Sequence, residues 1–192
     1  MGDIDVLIIA AHHDDETIGC SSYILDEYLK VGVLIASKDD DVYFERKNVI
    51  KKLGLNFYKC LNFQIYNLPD IKTLADSINL ILNELKPKIV LTHARSDLHQ
   101  DHIQLTKAVD IVVRMNRQDF IKKYLHFYTE NPIELTSCEF RKIDKIEKKK
   151  MLEKYQDFIP EEHRNLIMDF NKFCGSFSGL EFAEPFKVIY ER

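Results

Sequence analysis

The sequence contains no Cys-x-x-Cys pair: its four cysteines, Cys20, Cys60, Cys138 and Cys174, lie far apart. That spacing excludes a zinc-thiolate site and a dense disulfide framework, and the four read as buried free thiols. Long apolar runs are missing as well. Val6 to Ala11 is too short for a signal-peptide core or a membrane span, and Met1 to Asp5 carries acids rather than basic residues. The expected location is therefore the cytoplasm, with no membrane span. Neither sign of charge dominates: 31 acidic and 27 basic residues leave a formal net charge of -4, mixed along the chain. A large basic surface for nucleic acid is thereby excluded. With no Gly/Ser linker, internal repeat or low-complexity tract, nothing divides residues 1–192, and one domain is expected.

What is present is enough apolar material for one core, 45% hydrophobic and 11% aromatic over 192 residues. Val6 to Ala11 is a continuous β-branched run, the pattern of a strand covered on both faces, and a helical stretch from about Glu16 to Lys30 follows. A second apolar run covers Val31 to Ala36. A helix from Val42 to Leu53 then stops at Gly54 before a short strand, Asn56 to Cys60. From Asp70 to Leu85 the residues Ile71, Leu74, Ile78, Leu82 and Leu85 recur at three- and four-residue steps. Pro87 ends that helix before the strand Ile89 to Thr92. Further on come a helix from His102 to about Arg114, a strand near Leu125 to Thr129, a lysine-rich helix and the strand Phe186 to Tyr190. Alternation of this kind predicts an α/β fold, Rossmann-like, with a mostly parallel sheet flanked by helices.

Two segments carry chemistry, and both follow predicted strands: His12-His13-Asp14-Asp15-Glu16, and the loop from His93 through Asp97, His99 and Asp101 to His102. In open parallel sheets, ligands bind at the carboxyl ends of strands. A lone loop His is ordinarily a surface residue, and a lone Asp before a helix is ordinarily a cap. So many imidazoles and carboxylates packed together, however, are costly unless something compensates them, and a divalent cation does. Nitrogen and oxygen donors without thiolate suit a catalytic zinc with an open position; iron or another first-row ion suits them too.

The segment His12-His-Asp-Asp-Glu16 resembles the (A/H)-H-P-D-D-E signature of the LmbE-like, or PIG-L, de-N-acetylases, and His99-Gln-Asp-His102 resembles their H-x-D-H segment. Thr17-Ile-Gly19 resembles the continuation of the first motif. Glu45 with Leu53-Gly54, and Ala183-Glu-Pro-Phe186, resemble two further family segments. The sequence departs from the pattern at His13, where the family has proline, at Ser21 and Ser22, where it often has glycines, and at Val42, where it has an arginine.

The resemblance implies His12, Asp15 and His102 as zinc ligands and Asp14 as the base beside the metal. It also implies His99 as the group that stabilises the oxyanion and protonates the amine, with Asp101 hydrogen-bonded to His99. Arg46 would take over the missing arginine's contact with substrate, and Asp97 would meet substrate hydroxyls or orient a ligand. The implied activity is hydrolysis of the acetyl amide of an N-acetylated amino sugar, of N-acetylglucosamine type, by a metal-activated water. The same machinery serves other amides, such as an acyl-cysteine conjugate or an acylated antibiotic sugar. An inactive metal- or sugar-binding module would require loss of the base or a ligand, and neither is lost. A nucleotide-binding Rossmann domain would require a glycine-rich turn after the first strand, where His and Asp stand instead. Homo-oligomerisation stays open.

Most other residues read as structural. Glu16 is expected to begin the helix, with a structural and a functional role equally open to it there, His13 to be conformational, and His93 to be either core or support for the site residues. His126 and His163 read as ordinary, Lys145 to Lys150 as a solvated helix face, and Phe173, Phe177 and Phe182 as core or pocket wall. Substrate choice is assigned to the loops after Phe63, Thr129 and Cys174.

Overall fold

The computed structural model describes residues 4–38, 43–114, 119–129 and 134–192. Position 42, the expected start of the second helix, lies outside the described residues, as do 1–3 at the amino terminus and 130–133 in the loop after Thr129. The elements run β1 (Val6–Ala10), α1 (Asp15–Ile24), β2 (Val31–Lys38), α2 (Tyr43–Ile50), a 3-10 turn Lys51–Leu53, β3 (Phe57–Gln64) and α3 (Ile71–Leu85). They continue with β4 (Ile89–His93), α4 (Gln100–Val112), β5 (Lys123–Phe127), β6 (Cys138–Lys142), α5 (Lys145–Glu153), α6 (Glu161–Ser178) and β7 (Ala183–Glu191).

Seven strands form one sheet in the order β3-β2-β1-β4-β5-β7-β6. The first five are parallel, whereas β7 pairs antiparallel with β5 and with β6. β1 and β4 are neighbours reached by crossovers to opposite sides, so the loops leaving them face each other across the switch point. β1 is buried throughout: Leu7 and Ile9 join Leu74, Ile78, Leu105 and Val109 on one face, while Val6, Ile8 and Ala10 join Tyr23, Phe127 and Phe186 on the other. That is the reason for its unbroken apolar run.

The α/β reading holds, with local corrections. α1 stops at Ile24 rather than near Lys30, because the carboxylate of Asp26 takes the Tyr28 amide hydrogen in a tight turn (3.0 Å). β3 extends past Cys60 to Gln64, paired with β2 as far as Lys38. β6, with glutamate, arginine and lysine among its five residues, is a half-buried edge strand whose sequence lacks apolar alternation. Cys138 on it is half-buried, unlike the other three thiols.

The lysine run is not uniformly solvated. Lys145, Lys149 and Lys150 are exposed, but Lys148 is 0% exposed, its ammonium 2.6 Å from Glu184. Phe182 is buried, whereas Phe173 and Phe177 face outward at 55% and 62% exposure. The backbone of residues 181–182 approaches Gly175 so closely that a Cβ there would lie 2.6 Å from the Glu181 carbonyl, and this contact takes up the inner face of α6. His126 is buried, its Nε2 3.0 Å from the Tyr124 hydroxyl, which in turn donates to Asp110 (2.8 Å).

Candidate metal centre

The two loops meet where the pattern of strands places them. Asp15 Oδ2 lies 3.4 Å from His12 Nδ1 and 3.4 Å from His102 Nε2, and those two nitrogens lie 3.2 Å apart. Donors about 2.0–2.1 Å from a zinc ion at tetrahedral angles stand about 3.4 Å from one another, so this triangle fits such an ion. Each imidazole also spends its other nitrogen on a carboxylate: His12 Nε2 on Asp101 (3.1 Å) and His102 Nδ1 on Asp97 (2.9 Å). Both rings thereby donate outward to a carboxylate, and their inner nitrogens face the centre.

Asp97 is committed to that work. Its Oδ1 accepts from the His99 amide (2.9 Å) and its Oδ2 also from Thr129 (3.3 Å), contacts that agree with the ligand-orienting half of the expectation. Asp101 differs from expectation as well. Its carboxylate binds His12 and the Tyr66 amide (2.8 Å), and the contact with His99 runs through its backbone amide, which donates to His99 Nδ1 (3.2 Å). His99 is the N-cap of α4, and that geometry ties its Nδ1 to the helix end, leaving Nε2 to carry the hydrogen. Burial, aided by His102 and His12, holds the His99 imidazole below its ordinary value.

Asp14 has φ 130°, a left-handed conformation costly for a side-chain residue, and makes no capping bond. Glu16 supports it: fully buried, its carboxylate accepts the Asp14 amide (3.0 Å), the Thr17 hydroxyl (2.8 Å) and the Tyr155 hydroxyl (2.9 Å). Glu16 therefore braces the turn as well as opening the helix. Arg46 Nη1 stands 3.7 Å from Asp14 Oδ2, its guanidinium over the Phe158 ring, and its Nε is buried without a partner. Burial and the Asp15 carboxylate push Asp14 well above the usual carboxylate range, against the pull of Arg46. Asp15 goes the other way: burial would raise it, but the His102 and His93 imidazoles hold it well below.

His13 turns away from the triangle, its Nε2 2.7 Å from the Tyr58 hydroxyl. His93, fully buried and stacked on His102 at 3.7 Å, accepts the Ala11 amide hydrogen on Nε2 (3.0 Å); that nitrogen also lies 3.4 Å from Asp15 Oδ2, so Asp15, His93 and His102 make a second group able to hold a cation. Sequence reasoning missed Tyr66, which also holds a positive φ of 61°; its ring, 65% exposed, stacks on His99 at 5.4 Å. No motif marks it, though it stands in the loop after β3 to which substrate choice was assigned.

The family model described as GlcNAc-PI de-N-acetylase (PIG-L) matches residues 44–113. No curated protein matches the chain in sequence. Among solved structures, the conserved protein TT1542 from Thermus thermophilus is 20% identical, with a TM-score of 0.82 over 98% of this chain and 96% of that one. The N,N'-diacetylchitobiose deacetylase from Pyrococcus horikoshii is 18% identical, with a TM-score of 0.76 over 97% and 84%. The 4-carboxy-2-hydroxymuconate hydratase GalB from Pseudomonas putida is 14% identical, with a TM-score of 0.72 over 97% and 96%. These identities speak for the fold, which a deacetylase and a hydratase share. In sequence over residues 44–113 and in fold over nearly its whole length, this chain is similar to the PIG-L, or LmbE-like, de-N-acetylases.

Proposed function

We propose that this protein is a metal-dependent N-deacetylase that removes the acetyl group of an N-acetylated amino sugar, with His12, Asp15 and His102 holding zinc. The observation that carries the reading is the triangle of His12 Nδ1, Asp15 Oδ2 and His102 Nε2, with edges of 3.2 to 3.4 Å, beside a carboxylate, Asp14, not used for capping. A divalent cation held there supplies Lewis-acid polarisation and brings a water's pKa down to about 7. Another first-row ion satisfies the same donors.

Asp14 takes the proton of the attacking water; burial and the Asp15 carboxylate hold its carboxyl above the ordinary range, which makes it a stronger base than an exposed aspartate. Arg46 fixes its orientation. His99 Nε2–H donates a hydrogen bond to the oxyanion that develops on the acyl oxygen, and the proton Asp14 has taken from the water passes on to the departing nitrogen. Water oxygen ends on the acetate, the C–N bond breaks, and the sugar leaves as the free amine. The sugar proposed is an N-acetylglucosamine unit, free or borne on a nucleotide, a lipid or a conjugate.

Amine release from a panel of N-acetylglucosamine derivatives, by metal-stripped protein with and without zinc, tests the reading. Zinc-dependent release of amine and acetate is expected. Stoichiometric zinc binding with no amine from any member, including acylated antibiotic sugars and acyl-cysteine conjugates, would overturn the deacetylase assignment while leaving the metal centre.

Proton linkage gives a second expected result. Burial lowers the two ligand imidazoles, but the carboxylates around them more than offset it: Asp101 and Asp15 bring His12 to about 9, and Asp15 and Asp97 bring His102 to about 10. The outer nitrogens donate to carboxylates, and the inner ones, 3.2 Å apart, have room for a single proton between them. Below a pKa of about 9 that proton is bound in the metal-free protein, and a cation must displace it. Zinc binding at pH 7 is therefore expected to release about one proton, and the apparent Kd to weaken about tenfold per pH unit lowered from 8 to 6. Calorimetry in buffers of different ionisation enthalpy reads both; a Kd independent of pH would show the pair neutral.

A further inference from the structure

Helix α1, which opens with Asp15, is broken at Cys20, where φ is -134° and ψ is 20°. In a regular helix the amides of Ser21 and Ser22 would donate to the carbonyls of Thr17 and Ile18. Here the Ser21 amide donates to Glu184 Oε1 (3.1 Å) and the Ser22 amide to Glu184 Oε2 (2.8 Å). The two carbonyls are met by one cation: Lys148 Nζ donates to Thr17 O (2.8 Å) and to Ile18 O (2.7 Å). Lys148 and Glu184 bond each other at 2.6 Å, at 0% and 1% side-chain exposure. The ion pair thus lies in the helix where two adjacent rungs of the hydrogen-bond ladder would close. An inserted side chain is a recognised cause of a sharp kink.

Stability alone does not account for this arrangement. Burying two charges costs desolvation that apolar residues of similar volume avoid, and an unbroken α1 would satisfy the same four backbone groups by itself. What the pair adds is a fixed angle between the halves of α1. The first half lies so close to β5 that a Cβ on Gly19 would stand 2.4 Å from the Phe127 ring. The second half packs Tyr23 edge-on against Phe186 of β7, ring centroids 5.0 Å apart.

We propose that Lys148 and Glu184 are positioning residues for the metal centre: inserted at the Cys20 kink, they set the angle of the half-helix that carries Asp14 and Asp15 toward His12 and His102. This inference rests on the metal-centre reading above. Neither residue meets substrate or metal; they act through the backbone of α1.

The test is the Lys148→Met/Glu184→Met variant of the whole protein, which removes both charges together and lets α1 close its own ladder. Thermal unfolding is expected at or above the wild-type midpoint. Cobalt(II), titrated as an optical probe, is expected to bind at least about tenfold more weakly, a loss typical of disturbed support around metal ligands, with an altered d-d spectrum. A folded variant with wild-type cobalt affinity and spectrum would overturn the inference. Should the double variant not fold, Glu184→Gln serves: its amide nitrogen faces a donor amide, the half-helix must shift, and the same weakening is expected. A wild type that binds no cobalt would sink the metal-centre reading instead. The crystal structure of the variant then decides the positioning claim, supported if α1 straightens and Asp15 moves, and refuted if the kink at Cys20 persists.

Discussion

Asp14→Asn is expected to lower kcat by about 10²- to 10⁴-fold, the usual worth of a positioned general base, while bound zinc stays stoichiometric and KM changes little. The substitution is nearly isosteric, so the φ of 130° and the amide bond to Glu16 are preserved, while proton acceptance and the charge facing Arg46 are lost. Metal analysis alongside steady-state kinetics on the best substrate of the panel makes the check. Zinc lost together with activity would make Asp14 a ligand rather than a base. Activity retained within about threefold would remove it from the mechanism, and Glu16, bonded on both oxygens, would be no ready substitute.

The second large effect separates two adjacent histidines. His12→Ala is expected to abolish stoichiometric zinc binding, since it deletes one corner of the triangle and leaves the Asp101 carboxylate with the Tyr66 amide but no imidazole to orient. His13→Ala is expected to keep zinc and to cost about 1 kcal/mol of stability through the lost bond to Tyr58. Equilibrium dialysis of metal-stripped variants followed by elemental analysis distinguishes them. Zinc kept by His12→Ala and lost by His13→Ala would reverse the ligand assignment.

Periodicity was legible wherever burial was symmetrical or one-sided. β1 reads as a strand buried on both faces because it is one, and the spacing of Leu74, Ile78 and Leu82 marks the stripe that α3 lays on the sheet. The helix stop at Gly54 was legible as well, since its φ of 75° suits a residue without a side chain. β6 was illegible because its pairing is backbone to backbone along β7, with charged side chains on both faces. Lys148 was illegible for another reason: five lysines within Lys145 to Lys154 look alike in sequence, and the one that turns inward is chosen by Glu184, thirty-six positions away.

At the candidate metal centre the clustering of imidazoles and carboxylates was legible, but the partners of each carboxylate were not. Asp101 sits two positions from His99, yet the turn into α4 aims its carboxylate across the cleft at His12. Likewise Arg46 stands far from Asp14 in sequence, and only the packing of α2 beside the first loop brings its guanidinium within 3.7 Å of that carboxylate.

The kink in α1 also bears on how the chain is made. Residues 12–15 and 99–102 supply every group proposed to hold the cation, and they leave the ribosome well before the chain's last third. The carbonyls of Thr17 and Ile18 nonetheless wait for an ammonium 131 and 130 positions downstream, and the Ser21 and Ser22 amides wait for a carboxylate 163 and 162 positions downstream. Contacts of such sequence separation form late in folding, since loop closure must precede them. A nascent chain halted near residue 130 therefore carries all the donor groups but not the angle between them. On the positioning proposal above, a cation is expected to bind tightly only once the chain has reached Glu184 and the kink is set.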